Sequence, residues 1–186
     1  MSSYTLSTAQ PTDVGQLLAL INSAFRGESS RQGWTHEADL IEGGIRADEP
    51  MLLDIITDPA ATLLLANNEA GTIEGCVLLQ QKGEYLYLGM LTVDPRLQGR
   101  GLGKLLLQAA EDHARRFEST HIEMTVIADR QPLIDWYARH GYLPTGETRP
   151  FVQDAKFGRP RYPIHFVVLR KPLISVDAAE PSVLSA

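Results

Sequence analysis

Leu91-Thr-Val-Asp-Pro-Arg-Leu-Gln-Gly-Arg-Gly-Leu-Gly-Lys104 runs an apolar strand into Asp94-Pro95 and then sets a Gly-rich loop at the start of a helix. Gln98, Gly99, Gly101 and Gly103 bring backbone N–H groups to a helical first turn with no Cβ in the way. Four amide donors are unpaired there, and the macrodipole favours an anion. Arg96, Arg100 and Lys104 concentrate positive charge in a chain whose formal net charge is −6. The local sign opposes the global one, which implies an anionic ligand.

Three kinds of phosphate loop compete for this stretch, and spacing separates them. A nucleoside-triphosphate P-loop needs four residues between its first Gly and Gly-Lys, then Ser or Thr. Gly99 and Gly103 are separated by three, and Leu105 stands where the hydroxyl belongs. A dinucleotide fingerprint counted from Gly99 ends on Lys104 instead of Gly. The pattern that fits is Gln-x-x-Gly-x-Gly, filled by Gln98, Gly101 and Gly103, which resembles the acetyl-CoA pyrophosphate loop of the GNAT superfamily of N-acyltransferases. Downstream, Ile122, Met124 and Val126 alternate as a strand, and Gln131 to Arg139 reads as a short helix closed by His140-Gly141. Leu133-Ile-Asp-Trp-Tyr-Ala-Arg-His-Gly-Tyr142 resembles the same family's Tyr-x-x-x-Gly-Phe/Tyr signature, in the family's order. The likeness covers residues 85 to 150 best.

The resemblance implies an α/β (α+β) fold: a mixed, mostly antiparallel sheet with one splayed parallel strand pair, flanked by helices. It implies acetyl-CoA as co-substrate, held by Leu91, Val93, Gln98, Gly99, Arg100, Gly101, Gly103 and Lys104. Tyr137 would be the general acid that protonates departing CoA, with direct transfer to an amine and no acyl-enzyme. Trp136 reads as packing. Seven residues before Tyr137 the family often has an Asn on CoA, and this chain has Arg130, which either binds a CoA phosphate or faces solvent. The strand Tyr85 to Val93 puts Leu86, Leu88 and Met90 on one face and Tyr87, Leu91 and Val93 on the other. Gly89 interrupts the second face and marks either the family's strand bulge or a packing gap. No acid lies within that strand, so the base is open: Glu84, Glu123 and Glu147 all read as solvated carboxylates.

Composition fits one domain over residues 1–172 with a C-terminal tail over 173–186. The acidic balance and the lack of a Lys/Arg block argue against a nucleic-acid partner. Met-Ser-Ser-Tyr-Thr-Leu lacks signal-peptide character, and no apolar run approaches the ~20 residues of a membrane helix. A cytoplasmic protein with no membrane partner is expected. Cys76 is the only cysteine and reads as a buried, inert thiol. The five histidines show no zinc spacing, so no metal is expected.

Helical spacing of Val14, Leu17, Leu18, Ile21 and Phe25 predicts a first helix capped by Thr12-Asp13. A polar loop at Arg26 to Gly33, helical stretches at Glu37 to Ile41 and Glu49 to Ile56, and strands at Ala61 to Ala66 and Thr72 to Gln80 follow. After the Gly loop, a helix over Gly101 to Phe117 buries Leu102, Leu105, Leu106, Ala109, Ala110, Ala114 and Phe117. The last strand spans Ile164 to Arg170. Acceptor recognition is expected from the loops Arg26–Glu37 and Glu147–Arg161, with Arg31, Trp34 and Arg149 as contacts, unless Trp34 merely staples its loop to the core. Arg26, Arg31, Arg149, Arg159 and Arg161 suggest a small amine bearing an anionic group, against the counterweight of Glu28, Glu37, Asp39 and Glu42. Two alternatives stand beside the enzyme: a non-catalytic acyl-CoA-sensing module, and a structural domain with an unused Gly loop. A homodimer is left open.

Overall fold

The structure, a computed structural model, describes residues 3–173, so all but Leu173 of the expected tail 173–186 lies outside the described residues. The chain runs β1 (Thr5–Thr8), α1 (Val14–Phe25), α2 (Gly27–Ser30), β2 (Ile41–Glu42), α3 (Glu49–Thr57), β3 (Ala61–Asn67), β4 (Ile73–Lys82) and β5 (Tyr85–Val93). It continues through α4 (Leu102–Arg116), β6 (His121–Ile127), α5 (Gln131–Arg139), β7 (Leu143–Pro150), β8 (Arg159–Pro160) and β9 (His165–Pro172). The main sheet has the order β1-β3-β4-β5-β6-β9-β7, antiparallel throughout except for the parallel pair β5–β6. β2 and β8 form a separate ribbon. This is the mixed sheet with one parallel pair and flanking helices that the motifs imply.

Two cores lie on opposite faces of the sheet. Leu17 and Ile21 of α1 and Leu52 of α3 pack on Leu63, Leu65 and Cys76. Leu102, Leu106 and Ala110 of α4 and Ile134 of α5 pack on Leu79, Leu86 and Leu88. Alternation along each strand sends neighbouring side chains to different cores. Helix α3 begins with Asp48 accepting the Met51 N–H at 3.0 Å and Pro50 in its first turn. At α1 the expected cap is replaced by a 3-10 turn over Pro11–Asp13, and the Asp13 carboxylate instead accepts the Gln10 N–H at 2.8 Å.

Other expectations are corrected. Glu37 to Ile41 is not helical: Glu37 turns inward as an ion-pair centre, and Ile41–Glu42 pairs with Arg159–Pro160. The loop Arg26 to Gly33 contains the single turn α2. On α4, Leu107 and Glu111 are buried, whereas Leu105 and Phe117 are exposed. Glu111 is held there by Lys171 Nζ at 2.6 Å and by the Tyr142 hydroxyl at 3.3 Å, so the buried stripe is partly ionic.

The central strand opens the sheet. On β4, Cys76 faces Thr92 and Leu78 faces Gly89, so Val77 alone stands opposite two residues, Met90 and Leu91. This is a β-bulge, and its left-handed residue is Met90 at φ +50°, not Gly89. A side chain in that conformation costs on the order of 1–3 kcal/mol. The extra residue reverses the faces: Leu86 and Leu88 meet α4, Met90 turns to the α1 core, and Leu91 and Val93 return to the α4 side. The expected grouping of Met90 with Leu86 and Leu88 is thereby corrected. The β5–β6 ladder extends only from Tyr85↔His121 to Tyr87↔Glu123. Beyond it the strands part, with the Tyr87 hydroxyl 3.0 Å from Thr125 Oγ1 at the fork.

Candidate active site

A cleft of about 720 Å³ follows this opening from the Gly loop to Phe25 and Arg46 on the opposite side of the sheet. Its first wall is backbone. Gly101 is the N-cap of α4 at φ +91°, and no side chain caps the helix. A Cβ on Gly99 or Gly101 would meet open space, so it is the positive φ of each that selects glycine. At Gly103 φ is not positive, and a Cβ would touch the Trp136 ring at 3.4 Å. The first-turn amides of α4 are thus left for an anion from outside.

Charges around this loop divide. Lys104 lies on the cleft, together with Leu91, Val93, Gln98, Gly99, Gly101 and Gly103. Arg96 is forked onto Asp94 at 2.6 and 3.0 Å. Arg100 lies in a neighbouring depression beside Tyr4 and Glu74. The Gln98 side chain is fully engaged: its carbonyl accepts the Trp34 N–H at 2.8 Å, and its amide donates to Thr35 Oγ1 at 2.7 Å and to the Val93 carbonyl at 3.3 Å. It ties the Gly loop to the segment after α2, where a Cβ on Gly33 would come within 2.7 Å of Gln98.

Tyr137 faces the cleft with only 6% of its surface exposed. The Trp136 and Tyr142 rings pack edge-on against it at 5.0 and 6.1 Å. Burial pushes its phenol above the usual range, only partly opposed by Arg130. The group is neutral and retains its proton at any physiological pH. Cys76 is buried in the other core and its thiol is pushed up to about 12, so it is no nucleophile.

The far wall is ionic. Glu37 is 7% exposed and is the one carboxylate on the cleft among the described residues. Arg26 Nη1 bonds its Oε2, and Arg130 Nη1 lies 3.2 Å from its Oε1. Arg130 also donates to the Thr35 carbonyl, and Arg26 to the Phe157 carbonyl at 3.2 Å. Burial raises the carboxyl, but the guanidiniums of Arg130, Arg46 and Arg26 together hold it below its usual range. Arg130 lines the cleft half-buried, with both terminal nitrogens engaged, one by Glu37 and one by the Thr35 carbonyl. No local pattern in the sequence marks Glu37, whose partners Arg26 and Arg130 lie just after α1 and just before α5.

Of the other expected acceptor contacts, Trp34 lies on the cleft, 46% exposed, with its ring edge-on to Trp136 at 6.3 Å. Arg31 is outside the cleft lining, paired with Asp39 at 2.7 Å and Glu28 at 3.4 Å. Arg149 is also outside it, bonded to Glu147 and Glu123 at 2.8 Å each. Glu123 is not a solvated carboxylate: it is 2% exposed, and Arg170 and Arg149 outweigh burial to hold it below its usual range. Glu84 and Glu147 are exposed. Among the described residues, no three His, Cys, Asp or Glu side chains are grouped to hold a metal, and no helix is long and apolar enough to cross a membrane.

The profile of the acetyltransferase (GNAT) family matches residues 21–142. A mycothiol acetyltransferase of Nocardia farcinica is 27% identical over 136 residues, covering 73% of this chain and 44% of that protein. The mycothiol acetyltransferase of Propionibacterium freudenreichii subsp. shermanii is 31% identical over 137 residues, 70% of this chain and 40% of its own length. This chain thus spans less than half of either relative. The fold is shared with the ribosomal-protein-S18-alanine N-acetyltransferase of Escherichia coli (TM-score 0.68, 15% identity, 96% of this chain and 99% of that one). It is shared too with YncA of Salmonella typhimurium, a structure with its cofactor acetyl-CoA (TM-score 0.67, 20% identity, 98% and 99%). A Gly loop on an uncapped helix, a forked parallel strand pair and the match across residues 21–142 agree: the chain belongs to the acetyltransferase (GNAT) family.

Proposed function

We propose that this protein moves an acetyl group from acetyl-CoA to a primary amine of a small molecule by direct transfer, with residues 1–172 as one cytoplasmic domain. One observation carries the reading: a single cleft joins the uncapped first turn of α4, the fork between β5 and β6, and the buried neutral phenol of Tyr137. The residues suit a CoA thioester. Amides of the Gly loop and Lys104 offer donors and charge to a pyrophosphate, and the backbone freed at the fork beyond Tyr87 offers partners to an amide-bearing arm. When bound, acetyl-CoA supplies the activated acetyl group.

The amine nitrogen adds to the thioester carbonyl, the C–N bond forms and the C–S bond breaks. Tyr137 gives its proton to the departing sulfur and is re-protonated with the proton that the amine loses through water. A phenol kept neutral by burial suits an acid rather than a base. Glu37 is already shared by two arginines and has reduced proton affinity, so it serves as an electrostatic anchor for the wall. The test is thiol release from acetyl-CoA against a panel of amines, with the acetylated product weighed by mass spectrometry. Release that requires a small primary amine is the expected result. Tight acetyl-CoA binding with no amine-dependent release would overturn it in favour of an acyl-CoA sensor.

A further inference from the structure

Arg46 lines the cleft, and beyond its electrostatic effect on Glu37 its side chain has no part in the fold or the reaction above. Its backbone is pinned to α1: Asn22 Oδ1 accepts the N–H of Arg46 at 2.6 Å and of Ala47 at 3.0 Å, while Asn22 Nδ2 donates to the Ala47 carbonyl at 3.0 Å. Its guanidinium carbon lies 5.6 Å above the centre of the Phe25 ring, and both side chains line the cleft. Among the described residues Arg46 makes no ion pair and no side-chain hydrogen bond. Arg26 and Arg130 are already bonded to Glu37, so three guanidiniums share one carboxylate and leave a formal excess of two positive charges at this end of the cleft.

A half-buried guanidinium over the Phe25 ring, with unfilled donors on the cleft, is a fork for a carboxylate. Phe25, Met90 and Phe166 line the same end and supply apolar contact for the body of a small ligand. Arg46 lies on the α1 side of the sheet, across the fork from the Gly loop, so an anion bound here is separate from one bound at the amides of α4. A polyamine or lysine-rich acceptor meets like charge at this wall.

We infer that Arg46, set over Phe25 beside the Arg26–Glu37–Arg130 cluster, binds a carboxylate of the acceptor and makes the protein selective for small primary amines that carry one. This rests on the acetyl-transfer reading. It moves the anion-recognising role from Arg31 and Arg149, which are paired elsewhere, to a residue that no sequence motif singles out.

The test compares matched acceptors, amino acids against their amides, in the thiol-release assay for the parent, Arg46→Gln and Arg46→Lys. In the parent, kcat/KM should favour the acid at least tenfold. Arg46→Gln should bring that ratio to about one by raising KM for the acid, with KM for acetyl-CoA unchanged and the amide rate retained. Arg46→Lys should restore part of the preference, because it keeps the charge and loses the fork. Turnover that favours amides or spermidine in the parent, or an equal loss on both acceptors in Arg46→Gln, overturns this inference and leaves acetyl transfer standing. If no amine of any kind elicits thiol release, both readings are overturned.

Discussion

Between Val93 and Lys104 the cleft wall is largely backbone, drawn from one short stretch whose glycines and helix start lie side by side in the sequence. Between Arg26 and Arg46 it is made of side chains that find partners far away: Glu37 meets Arg130, 93 positions on, and Arg26 reaches the carbonyl of Phe157 across 131. The first wall offers backbone N–H donors, common to all residues but proline and arranged here by φ. The second exists only once α1, α5 and the loop before β8 are assembled. Gln98 connects them, since one amide side chain holds Trp34, Thr35 and Val93 together. The donor side should therefore fail locally when one residue changes, and the far side should fail as a network.

The largest effect is expected where the walls meet. Tyr137→Phe keeps the ring packing and removes only the hydroxyl, so turnover should fall roughly 10²- to 10⁴-fold with acetyl-CoA affinity unchanged. Steady-state kinetics checks this, and unchanged turnover would make Tyr137 a packing residue. With the phenol pushed upward by burial, the parent's kcat should also show no loss from phenol ionisation as the pH rises toward 10.

Next comes the network. Glu37→Ala leaves three guanidiniums facing each other in and around a buried site, and should cost about 3–5 kcal/mol of stability by denaturant titration. The pH dependence has a fixed sign. Glu37 is held below its unfolded value in the folded state, so its contribution is present above the ordinary carboxyl range and is lost as the pH falls through the lowered folded value. Glu37→Gln should flatten the acid side of the stability curve; an unchanged slope would show that another carboxylate sets it.

On the backbone wall, Gly101→Val forces a β-branched residue to φ +91° and crowds the amides, and should weaken acetyl-CoA binding by about 2 kcal/mol in a protein that remains folded by circular dichroism. The smallest effect is at the surface. Arg31→Ala removes an exposed pair outside the cleft, and neither stability nor kcat/KM should change measurably.

The contrast between the walls also explains how far the sequence could be read. The elements β5 and α5 carry the bounds that periodicity and turn residues predict, and β6 encloses the expected alternation of Ile122, Met124 and Val126, because strand alternation, Asp94-Pro95 and His140-Gly141 are local signals. Glycine is the usual mark of a left-handed site, so Gly89 suggests either a bulge or a packing gap; the bulge's left-handed residue is the next one, Met90, while Gly89 does not adopt that conformation. What fixes that choice is register against Val77 and burial of the Met90 side chain in the α1 core, neither visible within the strand itself. The arginines of the acceptor loops were legible as residues but not as partners. Arg31 and Arg149 are neutralised by Asp39, Glu28, Glu147 and Glu123, whereas Arg46, in a stretch with no motif, keeps its charge on the cleft.

Amide hydrogen–deuterium exchange with and without acetyl-CoA tests the division of labour most directly, because it reads backbone donors without any acceptor. Peptides spanning residues 98–105 should gain strong protection on adding acetyl-CoA, with a smaller gain at 33–35 through Gln98 and little change across 36–46. Unchanged exchange at 98–105, with protection confined to the arginine wall, would contradict the account.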